Sequence, residues 1–276
     1  MKANAIRIVF GVFCLVMLGL MIWRLVGGVW TPLNWGMFAV AAVSCVLIFV
    51  NFVYVFNYSY GLCVALNSAL IWLVLPSPVT ALMASVGIIY GARLFWFTWK
   101  RMHSTSYAEK KEGIDKADGY VPKPIKVTIY IQCVLLHTFH LMALYFVALN
   151  AIFTPAVLTG IAIMAAGTLI EAVADGQKQA AKEQSPKDLV TSGLYARCRH
   201  PNYSGEILLH VGLIVAGLAS VANAADAVVV TVAPLYIILL MISEALRVDE
   251  LHETKYGDSE AYSLYRQNSG SLLPKI

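Results

Sequence analysis

The sequence predicts an all-α, polytopic transmembrane helical bundle of seven or eight spans with basic cytoplasmic loops. Three observations carry this. Of 276 residues, 59% are hydrophobic and 13% charged, about half the charged complement of a soluble chain. Apolar runs long enough for a ~30 Å hydrocarbon core recur along the chain. Eighteen of the twenty Lys and Arg residues gather in four clusters, as basic loops kept on the cytoplasmic side do. The ~10-residue alternating segments of a transmembrane barrel are absent from the pattern.

The runs lie near 6–26, 36–56, 79–99, 127–149, 153–174, 204–222 and 226–246, with a shorter eighth at 61–75. The first reads as an uncleaved helix, because no small-residue cleavage site follows it. The basic clusters fall at the N-terminus (Lys2, Arg7), at 100–126, at 175–203 and after 246. With eight spans all four share one side and both termini are cytoplasmic; seven results if 61–75 only re-enters or the first run lies in the interface. The chain is read as one integral membrane domain: about 1–50 the N-terminal spans, followed by the stretches 51–103 and 127–276. Segment 104–124 reads as a mobile connection. Net charge +4 follows from topology and indicates no nucleic-acid partner. Five cysteines form no CxxC pair and read as packing residues, with no metal site expected.

Polar residues inside spans are costly and are functional candidates by default. Asn51, Tyr54 and Asn57 follow i, i+3, i+6 on the second run, with Tyr58 and Tyr60 just beyond. Tyr90 and Arg93 are three apart, Glu171 and Asp175 four apart, and Asn202, Glu206 and His210 follow i, i+4, i+8, so each set shares a helical face. Glu244, Arg247 and Glu250 close the last run. Arg24 reads as a snorkelling helix-end residue, and His137 and His140 as interhelical hydrogen bonders. The rim formed by Arg93, Lys178, Tyr195, Arg197, Arg199, His200, Asn202, Tyr203, Arg247 and Lys255 suits a multiply charged phosphate ligand. No GxGxxG or GxxxxGK[ST] is present, so the binding mode is neither Rossmann nor P-loop. Tyr90, beside Asn57, is placed to donate a hydrogen bond to an apolar substrate.

Gly193-Leu194-Tyr195, Arg199-His200-Pro201-Asn202-Tyr203 and Gly205-Glu206 resemble the signature of the steroid 5-alpha-reductase family. Tyr90-Gly91-Ala92-Arg93 resembles its Tyr-x-x-Arg element, and Tyr262 to Tyr265 with Ser271-Leu272-Leu273-Pro274 its terminal pattern. The likeness covers about residues 50–276. It implies NADPH-dependent reduction of a conjugated enone, a 3-oxo-4-ene steroid or similar lipid, at a site opening to the cytoplasm of a bacterial inner or ER-like membrane. It implies that Tyr90 bonds the substrate carbonyl with Asn57 in place of the family glutamate, and that Asn51, Tyr54 and Tyr60 contact substrate. It further implies a cofactor site of Arg93, Glu171, Asp175, Lys178, Tyr195, Arg199, His200, Asn202, Tyr203, Glu206, Arg247, Glu250, Lys255 and Tyr256, on a monomer with membrane lipid as its other partner. Glu171 stands where the family has Asn. The Arg-His-Pro-x-Tyr element with the Asp249-Glu250 helix also resembles membrane methyltransferases of the isoprenylcysteine or phospholipid type, which use S-adenosylmethionine. A non-enzymatic lipid or sterol sensor is a third reading.

Overall fold

The computed structural model describes residues 3–275, with the side chains of residues 3–8 and 10 outside that description. The basic N-terminal pair Lys2 and Arg7 therefore lies beyond what the structure describes. Every named element among the described residues is helical: α1 Ala3–Val26, α2 Pro32–Cys45, α3 Tyr60–Val74, α4 Pro78–Met102, α5 Ala108–Gly119, α6 Lys123–His140, α7 Met142–Asn150, α8 Pro155–Gln184, α9 Pro201–Leu218, α10 Ala224–Tyr256 and α11 Glu260–Asn268. Among the described residues six stretches are long and apolar enough to cross a membrane: Pro32–Phe49, Val55–Val74, Pro78–Met102, Lys123–Asn150, Pro155–Gln184 and Ala224–Tyr256. The chain is thus a membrane-embedded helical bundle. Helix α9 carries Asn202, Glu206 and His210 in its first three turns and is not among the six.

Helix starts follow local chemistry. Thr31, Ser77, Thr154 and Asn223 each accept a backbone N–H at an N-cap, three of them before proline at the first helical position, where the missing N–H costs nothing. Two predicted spans are interrupted. The run 36–56 ends as α2 and a 3-10 turn at Val46–Phe49, because Asn51 Oδ1 accepts the Val53 N–H and Asp118 accepts the Phe52 N–H. These side-chain bonds replace the helical ladder. Asn51, Tyr54 and Asn57 therefore do not share one helix face; the chain resumes as a π-turn at Val55–Ser59 leading into α3. The run 127–149 is likewise split at Leu141 into α6 and α7.

Segment 104–124 is not a structureless connection. It holds α5, docked by Asn51 Nδ2 donating to Asp115 (3.0 Å) and by the Asp118–Lys126 ion pair (2.6 Å). Burial pushes the Asp118 carboxyl up, but Lys126 and the Phe52 amide outweigh it and hold it below its ordinary value. Arg24 does not snorkel: it is buried and paired with Asp226 at 2.8 Å.

Two helix pairs cross at glycine, and these crossings place the polar residues. On α8 and α9 a Cβ at Gly160 would lie 2.6 Å from Ala216 N, at Gly167 2.5 Å from Leu209 N, at Gly205 2.6 Å from Glu171 N, and at Gly212 2.5 Å from Gly160 O. Only glycine permits this backbone contact, over two seven-residue steps of antiparallel helix. On α3 and α4 a Cβ at Gly61 would meet Gly91 O at 2.8 Å. Each of these two glycines follows a tyrosine, Tyr60 and Tyr90, so the crossing brings the phenols together.

Candidate active site

Where these helix pairs meet, α3 and α4 each bring a phenol to one carboxylate on α9. The Tyr60 hydroxyl donates to Glu206 Oε1 and the Tyr90 hydroxyl to Oε2, both at 2.5 Å, and the two hydroxyls are 3.4 Å apart. Tyr60 also contacts His210 Nε2 at 3.2 Å, and His210 Nε2 lies 2.8 Å from His140 Nε2. His210 Nδ1 lies 2.7 Å from the Glu206 carbonyl; a protonated Nδ1 donates there and leaves Nε2 as an acceptor. The rings stack in a row, with Tyr60 against His137 and His140, and His140 against His210. All are buried, and a buried polar network of this kind is costly unless its members are paired.

Beside it, the Arg93 guanidinium lies over the Tyr90 ring at 5.4 Å and pairs with Glu171 at 2.6 Å and Asp175 at 2.7 Å. Arg93 Nε and Glu171 Oε2 are buried without a hydrogen-bond partner. A spare donor next to a spare acceptor is the complement of a carboxamide, which offers one oxygen acceptor and two N–H donors.

Further along α8 lies a cavity of about 50 Å3 lined by Lys178, Lys182, Tyr195, Arg199, His200, His252, Tyr256 and Tyr265 among others, with no carboxylate in its wall. Lys178 sits over the Tyr195 ring. The Tyr195 hydroxyl reaches Asn202 Oδ1 at 3.4 Å, and Tyr203 stacks on His200. Tyr256 and Lys255 both donate to the Lys187 carbonyl. A larger hollow of about 570 Å3 lies among Phe146, Asn150, Ile152, Ser220 and Asp226, at the connections α7–α8 and α9–α10.

Several predicted residues sit elsewhere than expected. Asn57 is not the partner of Tyr90: the π-turn takes it off that face, and Tyr60 and Glu206 occupy the place given to it. Asn51 is spent on Asp115 and Tyr54 packs edge-on against Tyr58. Glu250 and Arg247 are exposed on α10, with Arg247 bound to Glu244.

Arg199 is not a free phosphate ligand. Its Nε and a terminal nitrogen grip Asp249 at 2.9 and 3.0 Å, and the other terminal nitrogen donates to Ser269 O at 2.6 Å. Asp249 also takes His200 Nε2 at 2.9 Å and Ser271 Oγ at 2.8 Å. Backbone bonds from Arg199 to Gly270, His200 to Ser271 and Gly270 to Arg197 tie the C-terminal tail to this loop. The Asp249 carboxylate raises the Arg199 pKa, whereas burial lowers that of His200 against the pull of Asp249. Asp249, Ser271, His252 and Lys182 were not singled out as site residues. The acidic Asp249-Glu250 pair at the end of the last apolar run is the signal in the sequence that could have pointed to this partner.

No curated protein and no solved structure matches the chain. A family model described as "Protein of unknown function (DUF1295)" matches residues 35–269, and the chain belongs to that family.

Proposed function

We propose that the protein reduces the conjugated double bond of a lipid-like enone, such as a 3-oxo-4-ene steroid, with NADPH as the reductant. The observation that carries this reading is the convergence of the Tyr60 and Tyr90 hydroxyls on Glu206, beside the unpartnered Arg93 Nε and Glu171 Oε2. Arg93 and Glu171 would hold the carboxamide of a nicotinamide against Tyr90, and Lys178, Tyr195 and His200 would face the phosphates. The cofactor, when bound, supplies a hydride to the β-carbon of the enone. The cavity at Lys178 is smaller than a dinucleotide, so binding opens the loop between α8 and α9.

The chain's own residues do the rest. Tyr90 turns its hydroxyl from Glu206 to the substrate carbonyl and stabilises the enolate oxygen as charge develops there, a contribution of about 10²- to 10³-fold in rate. Tyr60 stays on Glu206 and His210, keeping the carboxylate paired. The α-carbon then takes one proton, supplied ultimately by bulk water, so that hydride and proton together saturate the double bond. Both phenols are sealed from water, so the substrate arrives from the bilayer by parting helices. Orientation of the cofactor cavity toward the cytosol follows from the basic clusters beside it.

The test is NADPH consumption by the protein in lipid nanodiscs against a panel of enones, steroid first, with thermal shifts in NADPH and in S-adenosylmethionine. Substrate-dependent oxidation and a shift with NADPH support the reading. A shift with S-adenosylmethionine alone, and no oxidation with any enone, assigns the protein to the methyltransferase alternative.

A further inference from the structure

On the other side of Tyr60 from Glu206, three helices bring together Cys45 at the end of α2, Cys63 on α3 and His137 on α6. One potential ligand atom from each lies within 4.8 Å of the other two, and all three residues are buried. We propose that these residues bind a thiophilic d10 cation, Zn2+, in a Cys2His site.

Four observations bear on it. The His137 Nδ1 atom is buried with no hydrogen-bond partner, although an imidazole so placed ordinarily finds one. Its ring is held in plane by stacking on Tyr60 at 5.4 Å. Ser59 Oγ donates to the carbonyl of Ser44, the neighbour of Cys45, at 2.7 Å, fixing the α2–α3 junction that carries the first ligand. The surroundings include Ala41, Ile48, Val55 and Val134, with Cys133 one turn before His137, and among the described residues no carboxylate joins the cluster.

Tetrahedral thiolates at a Zn–S distance of about 2.3 Å are about 3.8 Å apart, so ligand atoms separated by up to 4.8 Å close on the ion by small rotamer changes. Charge selects the ion. Binding releases two thiol protons to water, and two thiolates with a neutral imidazole cancel Zn2+ exactly once, leaving a neutral unit in a low-dielectric interior. Copper(I) in the same ligands leaves an uncompensated negative charge. The fourth position stays open, as in three-ligand zinc sites, because a third thiolate from Cys133 would leave the buried unit with a net negative charge. Sequence spacing could not reveal the set, because its members lie on three separate helices.

The experiment is elemental analysis of tag-free, full-length protein purified in detergent from zinc-supplemented and, separately, cobalt-supplemented cells. The expected result is about one zinc per chain, and in the cobalt preparation a thiolate-to-cobalt charge-transfer band with tetrahedral ligand-field bands. Metal is lost in the Cys45→Ser/Cys63→Ser double variant and kept in Cys14→Ser and Cys198→Ser. Cys63→His keeps a ligand but not the charge balance, so it holds less metal than the wild type and more than the double variant, which covers the case in which the double variant fails to fold. Metal-free protein from both preparations, equal metal in the double variant, copper in place of zinc, or a Cys45–Cys63 disulfide in the isolated protein overturns the assignment. Because the readout is metal content and spectrum, its failure leaves the reductase reading untouched.

Discussion

The Tyr90 hydroxyl and the Glu206 carboxylate, 116 residues apart in sequence, meet at 2.5 Å inside the bundle. The contact exists because α3 and α4 cross at Gly61 and Gly91 while α8 and α9 cross at Gly167 and Gly205, which sets the polar residues next to each glycine against one another. On the proposed reaction, Tyr90→Phe lowers turnover by about 10²- to 10³-fold while the NADPH-induced thermal shift is retained. Steady-state NADPH oxidation together with the thermal shift checks both halves, and turnover near wild type removes Tyr90 from the mechanism.

Gly205→Ala puts a methyl 2.6 Å from the backbone nitrogen of Glu171. Neither backbone can yield without separating α8 from α9, so the variant is destabilised by about 1–3 kcal/mol and loses activity. The same change at Gly113, inside α5 with nothing within 4 Å, stabilises by about 0.5–1 kcal/mol through helix propensity. Paired thermal denaturation in one detergent makes the comparison.

Asp249 accepts from Arg199, His200 and Ser271 together. Removing one member of this part-buried, charge-assisted cluster costs on the order of 1–3 kcal/mol, so Asp249→Asn and Arg199→Ala both release the tail beyond α11. Limited proteolysis should show the C-terminus cut early in both. A protected tail in Arg199→Ala, with weakened NADPH binding, would restore Arg199 to the phosphate site.

Burial holds the His200 pKa below its ordinary value of 6.5, against the pull of Asp249 and with Lys178 and Arg199 adding to the depression. The folded state therefore resists a proton that the unfolded chain accepts. This contribution to stability is complete above pH 6.5, is lost as pH falls from there toward the folded pKa, and changes no further below it. Melting temperature against pH for the wild type and His200→Gln tests this. The variant should lack the part of the acid-side decline that belongs to this residue.

The helical, membrane-embedded character was legible because the length of an apolar run responds to the bilayer directly. The capped starts at Thr31, Ser77, Thr154 and Asn223 are local signals too. What hydropathy could not show is the break at Val50, since it is made by Asn51 and by Asp118, a residue 66 positions away from the Phe52 amide it binds. At the candidate site, Tyr90, Arg93, Glu171, Asp175 and Glu206 were all visible as polar residues in apolar runs. Their pairing was not, because a period along one helix says which residues share a face and nothing about which face meets another. Asn57 was placed beside Tyr90 on such a period, and the π-turn before Tyr60 undoes it. Arg199 looked like an anion ligand because its own carboxylate lies 50 residues downstream.

Helices α8 and α10 contain 30 and 33 residues, roughly 45 and 50 Å at 1.5 Å per residue, against a hydrocarbon slab of about 30 Å. Both outreach the lipid, and it is their overhanging ends that carry Lys178 on one and Asp249 and His252 on the other. Thin or thick bilayers will change how far these two posts lean, and with them the spacing across the basic cleft. Acyl-chain length is therefore a control on this protein that acts without touching any polar side chain.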